Sequence, residues 1–101
     1  SATSVAVLPF ANLSGDPRQS YFSDGLAAEL RSELSRNQLL QVAAQASSNM
    51  FRDRSADAKT ISGKLRVAYL VDGNVRLAKD RVKVSVELVN GKTGVSDWQD
   101  S

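Results

Sequence analysis

An apolar run without polar interruption begins near the start of the chain, at Val5 to Leu8, and continues through Pro9 and Phe10. Such a run leaves no polar face, which is typical of a central strand covered on both sides. We therefore predict a first strand over Ser4–Phe10, in the middle of a sheet.

The next pattern is that of an amphipathic helix, predicted over Tyr21–Arg36. Apolar side chains recur every four residues, at Phe22, Leu26, Leu30 and Leu34. We expect the first three of these to form the heart of the contact between helix and sheet. Gly25 is unfavourable within a helix, so we expect it to permit close approach of the helix to the sheet.

Two shorter elements follow. Leu39–Ala43 predicts a second strand, and Ala56–Leu65 predicts a second helix with its own apolar stripe. The polar stretch between them is predicted to be irregular, with Met50 and Phe51 anchoring it in the core.

The period then changes to two. Tyr69–Leu77 and Val82–Leu88 alternate apolar with polar positions and predict an antiparallel hairpin with one dry face. Val95–Gln99 predicts a last short strand. Within these strands Gly73 and Trp98 are expected to be structural residues.

The element order is thus β-α-β-α-β-β-β. Right-handed crossovers place strands two and three on opposite sides of strand one and the two helices on opposite faces. The predicted fold is α/β, a three-layer α/β/α domain with a mixed five-stranded sheet in the order 2-1-3-4-5. Residues 1–101 make a single domain, and because the first residue is Ser we expect it to be excised from a larger chain.

The composition contains neither Cys nor His. This removes the usual soft metal sites, the Cys and His nucleophiles and the commonest general base. We therefore expect a non-catalytic domain with no metal and no cofactor. No apolar run approaches the roughly 18 residues of a membrane span.

The net charge is +2, and it is unevenly distributed, since residues 50–83 hold nine Lys or Arg against four acids. Four of these bases cluster at the hairpin: Arg76, Lys79, Arg81 and Lys83. They form either a solvated face or a contact for an anionic partner. No aromatic residue lies between them, so nucleic acid is not the expected partner.

Three groups of residues could carry other chemistry. Ser14, Gly15 and Asp16 stand where a phosphate loop would, but lack its Gly and Lys pattern. A hard cation could bind three acids, Asp16, Asp24 and Asp72, although each also has a structural interpretation. Glu29 and Glu33 are one helical turn apart, which usually indicates a solvated face rather than an acid pair.

Taken together, these segments resemble the TolB amino-terminal-like domain. The opening string SVAVLPFANLSGDPRQSYFSDGL is similar to that family's AVLPF-N-S-D start and F-x-D-G-L helix. Later similarities, in the same order, are Tyr69-Leu70-Val71 with Gly73, Asp80-Arg81-Val82, Thr93-Gly94 and Trp98. The chain departs from the pattern at Asn37-Gln38, where the family usually has Pro-Gly.

The resemblance implies a fold similar to the anticodon-binding domain and a module without catalytic activity. Relatives accompany the propeller of TolB, adenylate or guanylate cyclases, winged-helix regulators and tetratricopeptide repeats. It also implies a bacterial envelope protein, with the domain on the periplasmic side of the inner membrane; a cytoplasmic location stays open.

The functional hypothesis is therefore a protein-interaction or sensory module that contacts a protein partner or adjacent domains. Its recognition residues are predicted in the polar loop after strand one and at the start of the helix: Asn12, Asp16, Arg18, Gln19 and Tyr21. The alternative is a small-ligand or nucleic-acid binding domain that uses the same loop.

Overall fold

The computed structural model describes residues 3–50 and 57–100. In these ranges the strands are β1 (Thr3–Val7), β2 (Ala11–Asn12), β3 (Leu40–Val42), β4 (Tyr69–Ala78), β5 (Arg81–Asn90) and β6 (Ser96–Asp100). The helices are α1 (Gln19–Ser35), α2 (Gln45–Asn49) and α3 (Ala58–Leu65). No helix in these ranges is long and apolar enough to span a bilayer.

The sheet runs in the order β3-β1-β4-β5-β6. β1 pairs in parallel with β3 and β4, while β4–β5 and β5–β6 are antiparallel. The α/β class and the order of the five predicted strands are confirmed. The sixth strand, β2, was not predicted; it pairs with β4 at Asn74 and Val75, beyond the end of β1.

The break between β1 and β2 is a change of register against β4. Leu8 donates its backbone N–H to the carbonyl of Val71, and Leu13 donates to that of Val75. Four residues lead from Val7 to Ala11, but only three lead from Val71 to Asn74, their partners in β4, so the ladder lapses and then resumes one residue out of register. The chain therefore pairs twice along the same edge of β4, first through the apolar run and then through Ala11–Asn12.

The core lies on both faces of β1, as the unbroken apolar run predicted. On one face α3 packs over a buried cluster of Ala6, Leu8, Ile61, Leu70 and Val89. On the other face α1 covers Val5, Val7, Phe10 and Val71.

The buried face of α1 differs from the predicted one. Ser23 is 1% exposed, whereas Phe22 is 43% exposed. The side chains that pack on the core are Leu26, Ala27, Leu30 and Leu34. A strict four-residue repeat drifts by about 40° at each step, because each residue turns about 100°. Extrapolating the stripe back to Phe22 therefore leaves the buried face.

The prediction for Gly25 is wrong. Gly25 is exposed, and a Cβ atom built there has no neighbour within 4 Å. The helix therefore does not need a glycine here to approach the sheet.

The segment after β3 begins with the short helix α2, where irregular structure was predicted. Met50 at its end is 79% exposed and does not anchor the segment in the core. Phe51, the second residue predicted to anchor this segment, lies outside the described residues. So does Ala56, where the second helix was predicted to begin.

Asp57 caps α3. Its extended backbone precedes the helix, and its Oδ1 accepts the Thr60 N–H at 2.8 Å. This hydrogen bond, first from the backbone of Thr60, lowers the pKa of the Asp57 carboxyl below its ordinary value.

Replacing Asp57 with alanine should therefore lower the melting temperature at neutral pH. Because the folded pKa is depressed, the carboxylate's contribution is present above the unfolded value near 3.8 and is lost as the pH falls through the folded pKa. Thermal melts of both chains from pH 7 to pH 2.5 measure this difference. A gap that stays constant over that range would contradict the cap's ionic contribution.

Candidate functional site

The loop after β1 was the site predicted from sequence, and Asn12 holds it together. Its Nδ2 donates to the carbonyl of Asp16 at 2.9 Å and to Ser20 Oγ at 3.2 Å. Its Oδ1 accepts from the N–H of Ser14 at 3.1 Å and from Ser14 Oγ. Most of these polar groups thus form hydrogen bonds within the loop and fix its shape.

Asp16 and Arg18 form a local ion pair on the outside of the loop. Arg18 donates from Nη2 and Nε to the carboxylate, at 2.9 Å to Oδ2 and 3.1 Å to Oδ1. The hydrogen bonds from Arg18 lower the pKa of Asp16, and the carboxylate raises the pKa of Arg18. The pair is solvated, so it fixes the loop more than it stabilises the fold.

The remaining predicted residues lie at the start of α1. Gln19 is its first residue and donates its N–H to the carbonyl of Asp16 at 3.0 Å. Tyr21 is 88% exposed, and the Arg18 side chain is exposed to the same extent. The structure thus brings all five predicted residues to one loop and helix start, with Arg18 and Tyr21 the most accessible.

The geometry does not support the predicted alternatives of a cation site or an acid pair. Among the described residues, no three acids or other ligands lie close enough to hold a metal, so Asp16, Asp24 and Asp72 do not form a cation site. Glu33 pairs with Arg36 at 2.5 Å on the solvated side of α1.

A larger concave surface, which sequence reasoning missed, lies on the half of the sheet away from the helices. We call it the sheet groove, a cavity of about 560 Å³. It is lined by Ala11 of β2 and Leu13 just after it, by Asp72, Gly73, Asn74 and Arg76 of β4, by Ser85, Val86 and Glu87 of β5, and by Gln99 and Asp100 of β6.

The register of β4 and β5 builds the groove. Asp72 lies opposite Glu87, and Asn74 lies opposite Ser85. Side chains alternate between faces along a strand, so these polar residues continue the row that begins at buried Leu70, past the end of α3. The signal in the sequence is the set of polar positions that alternate with Val71, Gly73 and Val75, but the same alternation is typical of any strand with one solvated face.

Asp72 and Asn74 are two of the polar side chains that line the groove. Asp72 Oδ1 accepts the N–H of Gly73 at 2.7 Å. Asn74 Oδ1 is buried and has no hydrogen-bond partner within the described chain. A buried acceptor without a donor is costly.

Gly73 is closely surrounded by other atoms, whereas Trp98 is exposed to solvent. The ring of Phe10 lies over Gly73: a Cβ built there would come within 3.0 Å of the ring and within 2.6 Å of the Ser85 carbonyl oxygen. Trp98 was expected to be structural, but it lies on the outermost strand and is 54% exposed. Tryptophan is enriched among the residues that dominate binding at protein interfaces.

The hairpin bases lie at one end of the groove, which Arg76 also lines. Arg76 and Lys83 lie opposite each other, and Arg81 follows the two-residue turn. All are exposed, and none of them pairs with a carboxylate in the described part of the chain.

Comparison with known proteins decides the family. Residues 1–95 match the model of the second domain of HilA/YgeH-like transcriptional regulators. The chain belongs to this family. The family inferred from sequence resemblance was a different one, the TolB amino-terminal-like domain.

A curated relative is named putative adenylate cyclase 3, from Rhizobium meliloti (strain 1021), and is 39% identical over 95 residues. The match covers 94% of this chain and 16% of the relative. The chain therefore spans about a sixth of the length of that protein.

Several solved structures share the fold at low identity. Lipoprotein GNA1162 from Neisseria meningitidis has a TM-score of 0.76 and 16% identity, over 97% of this chain and 78% of that chain. The LpoB C-terminal domain from Escherichia coli has 0.72 and 13%, over 98% and 79%. TolB from Acinetobacter baumannii has 0.66 and 17%, over 99% and 22%. The TolB resemblance thus holds for the fold.

Proposed function

We propose that this family member is a non-catalytic protein-interaction module that transmits regulation within a bacterial regulatory or signalling protein. The observation that carries the proposal is the sheet groove, a solvent-open polar surface on the part of the sheet that the helices leave uncovered. Most of its lining side chains are polar, whereas small-molecule pockets are lined mainly by apolar side chains, so the groove suits a protein surface better than a small ligand.

The comparisons support the same role from another direction. A family described as transcriptional regulators and a relative named as an adenylate cyclase have different outputs. A module common to both is best explained by a task that both need, which is to relay a signal through protein contact. The catalytic or DNA-binding work then belongs to other parts of such proteins.

The loop after β1 is part of this proposed surface. Leu13 lines the groove where the loop begins. Asn12 and Asp16 hold the loop's shape, so Arg18, Gln19 and Tyr21 are the residues that would touch a partner from its rim.

We place the domain on the periplasmic side of the inner membrane, in a chain anchored elsewhere in its sequence. Support comes from a fold neighbour that is named a lipoprotein. Fusion of the native chain to alkaline phosphatase directly after this domain should give active enzyme. An inactive fusion, with a fluorescent cytoplasmic reporter at the same point, would instead place the domain in the cytoplasm.

The functional test reverses one charge in the groove. Glu87→Lys in the full native chain should change its regulatory output by about fivefold or more, because it alters a central interface residue. Glu29→Lys is the matched control, since Glu29 is an exposed acid on α1, away from the groove.

Both variants are first checked for native melting. Normal output from a folded Glu87→Lys chain, or an equal loss from Glu29→Lys, would contradict the groove as the interaction surface.

A further inference from the structure

The groove face of β4 and β5 carries its charges in a definite order. Residues directly opposite each other in the two strands share a face of the sheet, and the successive pairs on the groove face are Asp72–Glu87, Asn74–Ser85 and Arg76–Lys83. We call these three pairs the charge row. Two acids face each other at its acidic end, two bases face each other at its basic end, and an uncharged pair lies between. Because β4 and β5 pair along their whole length, no further strand can enter between these residues.

Both ends of the charge row are unfavourable for the sheet alone. Like charges directly opposite each other destabilise a strand pair, whereas opposite charges in the same positions stabilise it. Glu87, Arg76 and Lys83 form no ion pair in the described part of the chain. Arg81, the next base along the row, lies opposite Ala78 and forms none there either. A counter-charge from another molecule at either end would therefore relieve a repulsion within the sheet.

The two ends are too far apart to neutralise each other. Asp72 and Arg76 are four residues apart in β4, and a strand rises about 3.3 Å per residue, so the ends are separated by about 13 Å. At physiological ionic strength, salt screens exposed charges beyond about 8 Å. A partner that satisfies the whole row therefore carries bases for one end and acids for the other, about 13 Å apart.

The shape of this face favours a helix in that partner. α3 packs over Leu70, which precedes Asp72 on the same face, and leaves the rest of the row open as the sheet groove. A helix laid beside α3 would continue the helical layer on this face of the sheet. A second copy of this chain fits less well, because it would place one concave surface against another.

We propose that the charge row binds a helix of a partner protein, and that this helix carries two bases and two acids in separate blocks along one face. Its bases lie over Asp72 and Glu87, and its acids lie over Arg76 and Lys83. Blocks centred seven to nine residues apart match the row, because a helix rises about 1.5 Å per residue. This inference rests on the proposed function of the sheet groove and names the chemistry of its partner.

The test compares two alanine-rich helical peptides, each with two lysines and two glutamates on one face, capped termini and a net charge of zero. In the block peptide the lysines are at i and i+4 and the glutamates at i+7 and i+11. In the interleaved peptide the lysines are at i and i+7 and the glutamates at i+4 and i+11. At low salt the block peptide should bind the 101-residue chain at least about tenfold more tightly. Opposite charges at i and i+4 favour the helix of the interleaved peptide, so poor helix formation cannot explain its weaker binding.

A double variant separates binding from folding. Exchanging two charges, Lys83→Glu with Glu87→Lys, turns both like-charge pairs into opposite-charge pairs and keeps the net charge at +2. Its melting temperature should rise by at least about 2 °C, while its affinity for the block peptide should fall by at least about tenfold. The matched control exchanges Glu29 and Lys64, which are exposed on α1 and α3, and should change that affinity by less than about twofold.

Equal affinity for the two peptides would overturn the proposal, as would a Lys83–Glu87 exchange that lowers the melting temperature or leaves block-peptide binding unchanged. A dimer seen in sedimentation and abolished by that exchange would assign the row to a second copy instead. Tighter binding of a single-stranded DNA oligomer than of the block peptide would assign it to nucleic acid. Binding to the 101-residue chain but not to the full native chain would mean that another segment of that chain covers the row.

The two proposals fail separately. The output test with Glu87→Lys uses the full native chain and no peptide, so it reports on the groove whatever the order of its charges. Altered output together with equal affinity for the two peptides would overturn the charge-row proposal and leave the groove as the interaction surface. Unaltered output from a folded Glu87→Lys chain would overturn the groove itself.

Discussion

Replacing Gly91 with alanine should lower the free energy of unfolding by about 3 kcal/mol, since overpacking a rigid site costs about 1–3 kcal/mol and this site is very tight. A Cβ at Gly91 would collide with Ser62 Oγ, lie 2.7 Å from Ser62 Cβ and lie 2.9 Å from the Ala68 carbonyl oxygen. Two of these atoms are not the ends of flexible side chains, so the backbone must move.

Gly91 lies where three elements of the fold meet, so its neighbours cannot easily move to make room for a side chain. Gly91 donates its N–H to the Ala68 carbonyl at 2.8 Å, just after β5. Ser62 of α3 donates its hydroxyl to the Val67 carbonyl. Displacing Gly91 therefore disturbs the end of α3, the entry to β4 and the turn before β6 together.

Chemical denaturation of Gly91→Ala and Gly63→Ala measures the effect. Gly63 is the matched control, because it lies on α3 with nothing within 4 Å of an added Cβ. Alanine there should stabilise by about 0.5–1 kcal/mol, the usual gain in a helix. If Gly91→Ala unfolds at the same denaturant concentration as the unaltered chain, the packing described around Ser62 is wrong.

Replacing Gly73 with alanine should cost about 2–3 kcal/mol, for a related reason. Its Cβ would lie 2.6 Å from the Ser85 carbonyl oxygen and 3.0 Å from the ring of Phe10. The ring can shift, but the carbonyl belongs to the β4–β5 ladder and cannot. The strands would have to separate at the floor of the sheet groove.

A double-mutant cycle with Phe10→Leu tests which neighbour matters. The smaller side chain should recover only part of the loss at Gly73→Ala, because the Ser85 carbonyl remains in place. Gly25→Ala, which meets nothing, should be neutral or stabilising. Complete recovery in the double variant would mean that the ring alone sets the requirement for glycine.

The sequence could predict the fold where local pattern and tertiary role agree. The apolar run of β1 and the alternation along β4 and β5 each indicate a strand with a definite number of buried faces, and the crossover rule then limits the sheet order. The structure contains both features. The two-residue strand β2 was not predicted, because nothing local distinguishes Ala11–Asn12 from a loop.

The wrong predictions concern residues whose surroundings are set by tertiary packing and not by the local sequence. Gly25 and Gly91 are both glycines in the sequence, yet only Gly91 has neighbours that would exclude a side chain. That difference is set by residues far away, such as Ser62. Similarly, Phe22 lies in a plausible helical stripe, but the phase of α1 against the sheet places Ser23 inward instead.

The candidate site shows the same limit. The sequence located the polar loop but could not foresee that Asn12 and Asp16 bond within it. It also contained Asp72, Asn74 and Glu87 without indicating that register brings them into one groove. A site built from four strands becomes visible only when the sheet is assembled.

Photo-crosslinking from the sheet groove, in the full native chain and in its own bacterium, tests most directly whether the groove is the interaction surface. A photoreactive phenylalanine at Gln99 should form an adduct with another protein or another domain of the chain, identified by mass spectrometry. The same residue at exposed Gln38, after α1, should form none, and Glu87→Lys should abolish the adduct from Gln99. Equal yields from both positions, or an adduct that survives Glu87→Lys, would contradict the groove as the interaction surface.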